Sequence, residues 1–289
     1  MINRLKTYCR LQPVLGKYKI SLPVGLSALT GYLYHHGAFD FKAIMVFFGI
    51  FFFSAASSTI NHIQEKKEDS LMPRTKNRPL PANLISVTEA IVLAVVNLII
   101  GIACIIPFHN VLVLVLAFVA LFWYNLIYTP LKKVTAFAVI PGSVTGAIPP
   151  IIGWIAAGGA PLDPRIIIIS IFFFIGQIPH FWLLLLLYGE QYELAKMPSL
   201  TNIFSRPQLT RLTYTWILTA MGAALLIPFK GIISNNALIF ATCFIVFYVI
   251  AFTSMTFFIK KELNAKKIFM RLNILYLLMM VVLVVEGIT

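Results

Sequence analysis

Residues 41–81 read FKAIMVFFGIFFFSAASSTINHIQEKKEDSLMPRTKNRPLP. The part from 41 to 60 carries one charge, Lys42, and matches the run of about 20 apolar residues that a helix needs to cross a bilayer. The next residues are acids and bases: Glu65, Glu68 and Asp69, then Arg74, Lys76 and Arg78. A spanning run that opens directly into a charged connection is the repeating unit of a polytopic membrane protein, and comparable apolar runs recur along the chain. Spans are predicted near 20–36, 41–60, 85–107, 111–129, 136–157, 166–188, 209–229, 237–259 and 268–287. The chain therefore reads as all-α, with nine transmembrane helices in a single transmembrane domain over 1–289.

The composition agrees. Of 289 residues, 60% are hydrophobic and 11% charged, against about 45–50% and about 25% in a soluble domain, and the mean hydropathy is +0.90. A water-soluble globule is excluded. The basic N-terminal flank, with Arg4, Lys6, Arg10, Lys17 and Lys19, resembles that of a signal peptide. No small-residue cleavage site leads into a polar mature domain, however, so a retained segment is expected. Cys9, Cys104 and Cys243 lie far apart with no CxxC or Cys/His spacing, which indicates neither a disulfide framework nor a zinc site.

The formal net charge of +13 is topological. Counted alternately across nine spans, Lys and Arg divide 20 to 3, with Lys42, Arg165 and Lys230 on the poorer side. Cytoplasmic connections collect the cations, so the N-terminus is expected in the cytoplasm, the C-terminus opposite, and the protein in the inner (plasma) membrane. With the charge accounted for in this way, no nucleic-acid partner is implied.

Connections on the poorer side are short, whereas two on the basic side, about 61–83 and 189–207, carry acids. If the helix of 41–60 runs on, Asn61, Glu65 and Asp69 at i, i+4 and i+8 share one face. An amide oxygen and two carboxylates are the hard ligands that Mg²⁺ takes when it also holds a substrate's phosphates. Arg74, Lys76 and Arg78 follow as candidate phosphate cations. Acids for a metal beside bases for phosphate describe a diphosphate site; the same residues also fit an ordinary juxtamembrane loop of i,i+4 ion pairs.

Polar residues within a span are costly and are functional candidates by default. His180, in Gln177-Ile178-Pro179-His180-Phe181-Trp182, is either a structural hydrogen-bonding residue or a ligand-side group. Glu190 and Glu193 either complete a metal site or are solvated. Lys132 and Lys133 after Tyr128 either bind phosphate or anchor a span. Gly142, Gly146 and Ala147 permit close helix packing.

Three ordered blocks carry a resemblance. They are Asn61-x-x-x-Glu65-x-x-x-Asp69 with Arg74-Thr75-x-Asn77-Arg78-Pro79-Leu80-Pro81; Tyr128-Thr129 through Lys132-Lys133 to Gly146-Ala147-x-Pro149-Pro150-x-Ile152-Gly153-Trp154; and Pro179-His180-Phe181-Trp182 followed by Tyr192-x-x-Ala195-x-x-Pro198. Together they resemble the UbiA-type intramembrane prenyltransferases, most closely the haem-farnesylating branch. The resemblance implies a helical bundle with a central cavity and Mg²⁺-dependent transfer of a farnesyl group from farnesyl diphosphate to a vinyl group of haem b within the lipid bilayer. Carried over by position, it assigns Asn61, Glu65, Asp69 and Glu190 to metal, and Arg74, Lys76, Arg78, Tyr128, Lys133 and Tyr192 to substrate. Lys132 and His180 join the catalytic set, His180 on the acceptor side. Three positions depart from the pattern: Lys67, Gln191 and Ala138 stand where the branch carries aspartate, aspartate and asparagine. They keep open a different acceptor, such as a quinone-precursor ring or another tetrapyrrole. A non-enzymatic transporter is the remaining alternative, disfavoured because the acids gather at one interface instead of along a path across the bilayer.

Overall fold

A computed structural model describes residues 2–259 and 263–289, with side chains from Tyr8 onward and without that of Cys9. Lys260 and Lys261, counted in the charge bias, lie outside the described residues, as do the side chains of Arg4, Lys6 and Cys9. Among the described residues the chain is helical, without a strand. The helices are α1 (Ile2–Leu15), α2 (Tyr18–His36), α3 (Phe41–Gln64), α4 (Lys66–Leu71), α5 (Val87–Ile105), α6 (Val111–Phe122), α7 (Thr129–Leu131), α8 (Val139–Gly142), α9 (Val144–Ala156), α10 (Pro164–Leu194), α11 (Arg206–Phe229), α12 (Asn236–Phe258) and α13 (Ala265–Ile288). Between α6 and α7, Trp123–Tyr128 forms a π-helical turn.

Among the described residues, eight helical stretches are long and apolar enough to cross a membrane. The ninth expected span, α2, is equally helical over 19 residues but dilutes its hydropathy with Ser21, Ser27 and Thr30, all buried. Their hydroxyls donate to the carbonyls of Gly16, just before α2, and of Val24 and Leu26 within it, so they enter an apolar interior without leaving an unpaired donor. α2 packs against α3, α9 and α13. Gly153 of α9 allows the closest approach: a Cβ there would overlap the Ala28 carbonyl of α2, the small-residue contact by which membrane helices pack.

Two boundaries differ from the sequence reading. α10 runs 31 residues, to Leu194, so Glu190 and Tyr192 are helical and not in a loop. At 1.5 Å per residue it is roughly 46 Å long, more than the ~30 Å hydrocarbon thickness. Apolarity ends near Gly189 while the backbone hydrogen bonding continues. The helix of the 41–60 span, conversely, does not pass unbroken through Asp69. It ends at Gln64, pivots on Glu65 (φ −105, ψ 12) and resumes as α4.

The end of the bundle formed by the C-terminal ends of α3, α7 and α10 and the N-terminal end of α2 is closed by the two acid-bearing connections. Met72 from the first packs with Ala195 and Met197 from the second. α1 lies beside them, its Leu11 and Leu15 buried with Leu80, Ile85 and Ala90.

Candidate active site

The pivot at Glu65 leaves the predicted row intact. Glu65 N–H bonds to Asn61 O at 3.0 Å and Asp69 N–H to Glu65 O at 2.8 Å, so the i,i+4 relation persists across the break. Asn61, Glu65 and Asp69 are all buried, at 0%, 7% and 1% exposure. A buried carboxylate needs a partner, and each member of the row faces a cation from a different element. Lys17 Nζ donates to Asn61 Oδ1 at 2.7 Å, Lys132 Nζ lies 2.5 Å from Glu65 Oε1, and Arg78 Nη1 donates to both Asp69 oxygens at 2.8 and 2.7 Å. Outside the row, Lys133 pairs with Glu68 at 2.7 Å and donates to Gln64 O at 3.0 Å.

These neighbours set the protonation of the group. Burial pushes the Lys17 ammonium down to about 7, assisted by Arg78 and Lys132 and opposed by Glu65 and Asp69. Burial works against an ionised Glu65, but Lys132 and Lys17 outweigh it and hold the carboxyl below its usual value. Burial likewise opposes a charged Lys132, and Glu65 and Tyr124 reverse the effect and raise its pKa.

Beyond Lys132 opens a cleft lined by Tyr128, Thr135, Ala138, Phe181, Leu185, Tyr192 and Met197. Lys132 Nζ sits 5.0 Å from the Tyr128 ring centroid, and the Phe181 ring stands 6.1 Å from Tyr128. Gly142 makes room for the tyrosine, since a Cβ there would fall 2.5 Å from the ring. The cleft thus has an ammonium at one side and aromatic and aliphatic walls around it.

The expected residues divide by position. Asn61, Glu65, Asp69, Arg78 and Lys132 meet in the row and its cations; Tyr128 and Tyr192 line the adjoining cleft, and Lys133 holds Glu68. Glu190 and Lys76 are exposed, with no contact joining either to the row among the described residues. Arg74 instead ties the two connections together: its guanidinium lies 4.9 Å from the Tyr188 ring centroid and its backbone N–H bonds to Gln191 Oε1 at 3.3 Å. Gln191, the departure from aspartate, therefore accepts a main-chain donor, and Lys67 is exposed. His180 does not line the cleft. It lies beside Asn273 and sits 4.5 Å from the Phe269 ring of α13. Among the described residues no three His, Cys, Asp or Glu side chains cluster closely enough to hold a metal by themselves.

Two neighbours of the row had no assigned role in the sequence reading. Lys17 was counted only for topology, and a lysine immediately before a span gives no other signal. His62 lies buried with Nδ1 3.9 Å from Asp69 Oδ2, and its position next to Asn61 was the one available clue.

Residues 24–277 match the model of the UbiA prenyltransferase family. The chain is 34% identical over 229 residues to a protoheme IX farnesyltransferase of Oleidesulfovibrio alaskensis, covering 79% of this chain and 81% of that protein. It is 32% identical to one from Cytophaga hutchinsonii, with 92% and 91% covered. Among solved structures, digeranylgeranylglyceryl phosphate synthase superposes with TM-score 0.75 at 19% identity over 99% of each chain. A UbiA homolog from Archaeoglobus fulgidus bound to GPP and Mg²⁺ superposes with TM-score 0.69 at 17% identity, covering 96% of this chain and 99% of that one.

Proposed function

The chain belongs to the UbiA prenyltransferase family, and from that premise we propose that it transfers a farnesyl group from farnesyl diphosphate to a vinyl group of haem b. The observation that carries the diphosphate half is the buried row of Asn61, Glu65 and Asp69, with Lys17, Lys132 and Arg78 set against it. The relatives named protoheme IX farnesyltransferase support the acceptor half.

The donor set suits Mg²⁺: an amide oxygen and two carboxylates, all hard, and too few to saturate the ion without a substrate's phosphates. Asn61, Glu65 and Asp69 would hold it. When bound, it would supply Lewis-acid neutralisation of diphosphate charge. The cations do the rest of that work: Lys17, Lys132 and Arg78 attract the diphosphate and stabilise the negative charge that grows on it as the allylic C–O bond breaks and the departing oxygen keeps the electron pair. The faces of Tyr128 and Phe181 attract the allylic carbocation, and the apolar walls of the cleft keep water from quenching it. The vinyl π electrons then form the new C–C bond. Water adds to the cation left beside the porphyrin and releases a proton, giving a hydroxylated, farnesylated haem.

On this reading the row faces the cytoplasm with the N-terminus, in the inner membrane, as the 20 to 3 division of Lys and Arg supports. The test is mass spectrometry of products formed by the purified protein with haem b, farnesyl diphosphate and Mg²⁺. A haem heavier by a farnesyl group and a hydroxyl is expected. Unmodified haem together with a prenylated quinone-precursor ring, when that ring is supplied, would transfer the proposal to another acceptor.

A further inference from the structure

In the π turn Trp123–Tyr128, backbone bonding lengthens from i→i−4 to i→i−5, and the N–H of Thr129 bonds to the carbonyl of Tyr124. Thr129 Oγ1 donates to the same carbonyl at 2.9 Å. A hydroxyl has a single proton to give, so toward its remaining neighbour Thr129 can only accept. That neighbour is Asn61, whose Nδ2 donates to Thr129 Oγ1 at 3.1 Å. On the other side of the amide stands Lys17, whose charged form, the one that attracts a diphosphate, has donors and no acceptor and meets Oδ1, at 2.7 Å. The two ends of the Asn61 amide are thus fixed independently and in agreement. Asn61 and Thr129 are buried at 0% and 1% exposure, so no solvent competes for either group.

The seam is held on both sides of this contact. Asn125 Nδ2 donates to Ser57 Oγ at 2.7 Å and Gln64 Nε2 to Asn125 O at 2.9 Å. Ser57, Asn61 and Gln64 follow one face of α3. Asn125 and Thr129 present the matching face of the π turn, and Tyr124 and Tyr128 form a second i,i+4 pair. π turns within α-helices are frequent at functional sites, and here the turn supplies a carbonyl that commits a hydroxyl.

We propose that Thr129 is a positioning residue: its hydroxyl, committed by the π turn to the Tyr124 carbonyl, holds Nδ2 of the Asn61 amide so that Oδ1 and not Nδ2 meets Lys17. An inverted amide would present its NH₂ group to Lys17 and remove a hard oxygen from the row. The inference rests on the prenyl-diphosphate reading of that row and deepens it.

The test is a double-mutant cycle read by calorimetric titration of inorganic diphosphate with Mg²⁺ into the detergent-solubilised full chain. Thr129→Val keeps the shape and removes the acceptor, and binding is expected to weaken about tenfold, as for one lost hydrogen bond beside charge, whereas Thr129→Ser stays within about twofold. In an Asn61→Asp background the carboxylate offers oxygen whichever way it turns, so Thr129→Val should change affinity by less than about twofold. Equal losses in both backgrounds, no loss in Thr129→Val, or failure of Thr129→Ser to bind would overturn the proposal and leave Thr129 a packing residue. Should Thr129→Val not fold, Thr129→Ala against Thr129→Ser carries the same comparison. Absence of binding by the unmodified chain would overturn the prenyl-diphosphate reading and this inference together; binding that Thr129→Val leaves unchanged overturns this inference alone.

Discussion

Arg78 grips both oxygens of Asp69, at 2.8 and 2.7 Å, although the two residues stand nine positions apart in the chain. The first acid-bearing connection is therefore folded back over the row: Thr75 Oγ1 donates to Asp69 O at 2.8 Å, and Asp69 is 1% exposed. One residue serves both as a candidate metal ligand and as the anchor of the segment that covers it.

Asp69→Asn should abolish prenyl transfer and also cost stability. The amide cannot accept two charge-assisted bonds from Arg78, and breaking such a buried contact costs about 1.5–3 kcal/mol. A lowered melting temperature together with loss of Mg²⁺-dependent diphosphate binding is the expected pair of readouts. Full activity at limiting Mg²⁺ would remove Asp69 from the metal set. Glu65→Gln should weaken binding similarly and release Lys132, its partner at 2.5 Å.

The two acid-bearing connections should behave as one cap. Met72 packs with Met197, and Arg74 reaches Gln191, so a Met72→Cys/Met197→Cys protein should form an intramolecular crosslink with a short bifunctional maleimide. Single cysteines at the exposed positions Ser70 and Lys196 should be labelled from the same side of sealed vesicles. Labelling from opposite sides would contradict both the contact and the span count.

Spacing made the row legible, because Asn61, Glu65 and Asp69 are related by a local helical period that survives a one-residue pivot. Hydropathy made the spans legible for the same local reason. It was weakest at α2, where Ser21, Ser27 and Thr30 turn to their own backbone carbonyls, and it misplaced the end of α10, where helical bonding outlasts apolarity and carries Gln191 and Tyr192 with it. The tertiary contributions left no local trace. Lys17 reads as any lysine before a span. The π turn at Trp123–Tyr128 changes register by one residue without a change of composition. The turn of His180 toward Asn273 and Phe269 depends on α13, almost a hundred positions away.

His180→Ala should lower the melting temperature, since it opens a gap between α10 and α13 and removes the contact with Phe269, 4.5 Å away. Mg²⁺-diphosphate affinity should change by less than about twofold, because the row lies on α3 and distant sites are close to additive. Weakened haem binding, read from the haem absorbance on titration, is the outcome that keeps His180 on the acceptor side. Unchanged haem binding with the same stability loss would assign it to the seam between α10 and α13.

The last prediction concerns Lys17, the residue that joins α1 and α2. It adopts φ 43, ψ 52, a left-handed conformation that a side chain other than glycine's adopts at some cost. Strain of this kind persists where surrounding structure over-determines it. On one side Leu11 and Leu15 dock α1 against Leu80 and Ile85, and on the other α2 is fixed by its contact with α9. The turn between them delivers an ammonium to Asn61. Lys17→Met removes the charge while keeping most of the stem. With one of three cations gone, affinity for diphosphate with Mg²⁺ should fall about tenfold, the scale of one charge-assisted contact. Stability should change little, because the desolvation cost of the ammonium, which Met does not incur, is removed while the buried Asn61 Oδ1 loses its donor. Lys17→Gly should relieve the strained φ but lose the same binding, which separates the turn from the charge it carries. If Lys17→Met bound diphosphate as tightly as the unmodified chain, the ammonium would be a partner of Asn61 alone, and Lys132 and Arg78 would account for the attraction between them.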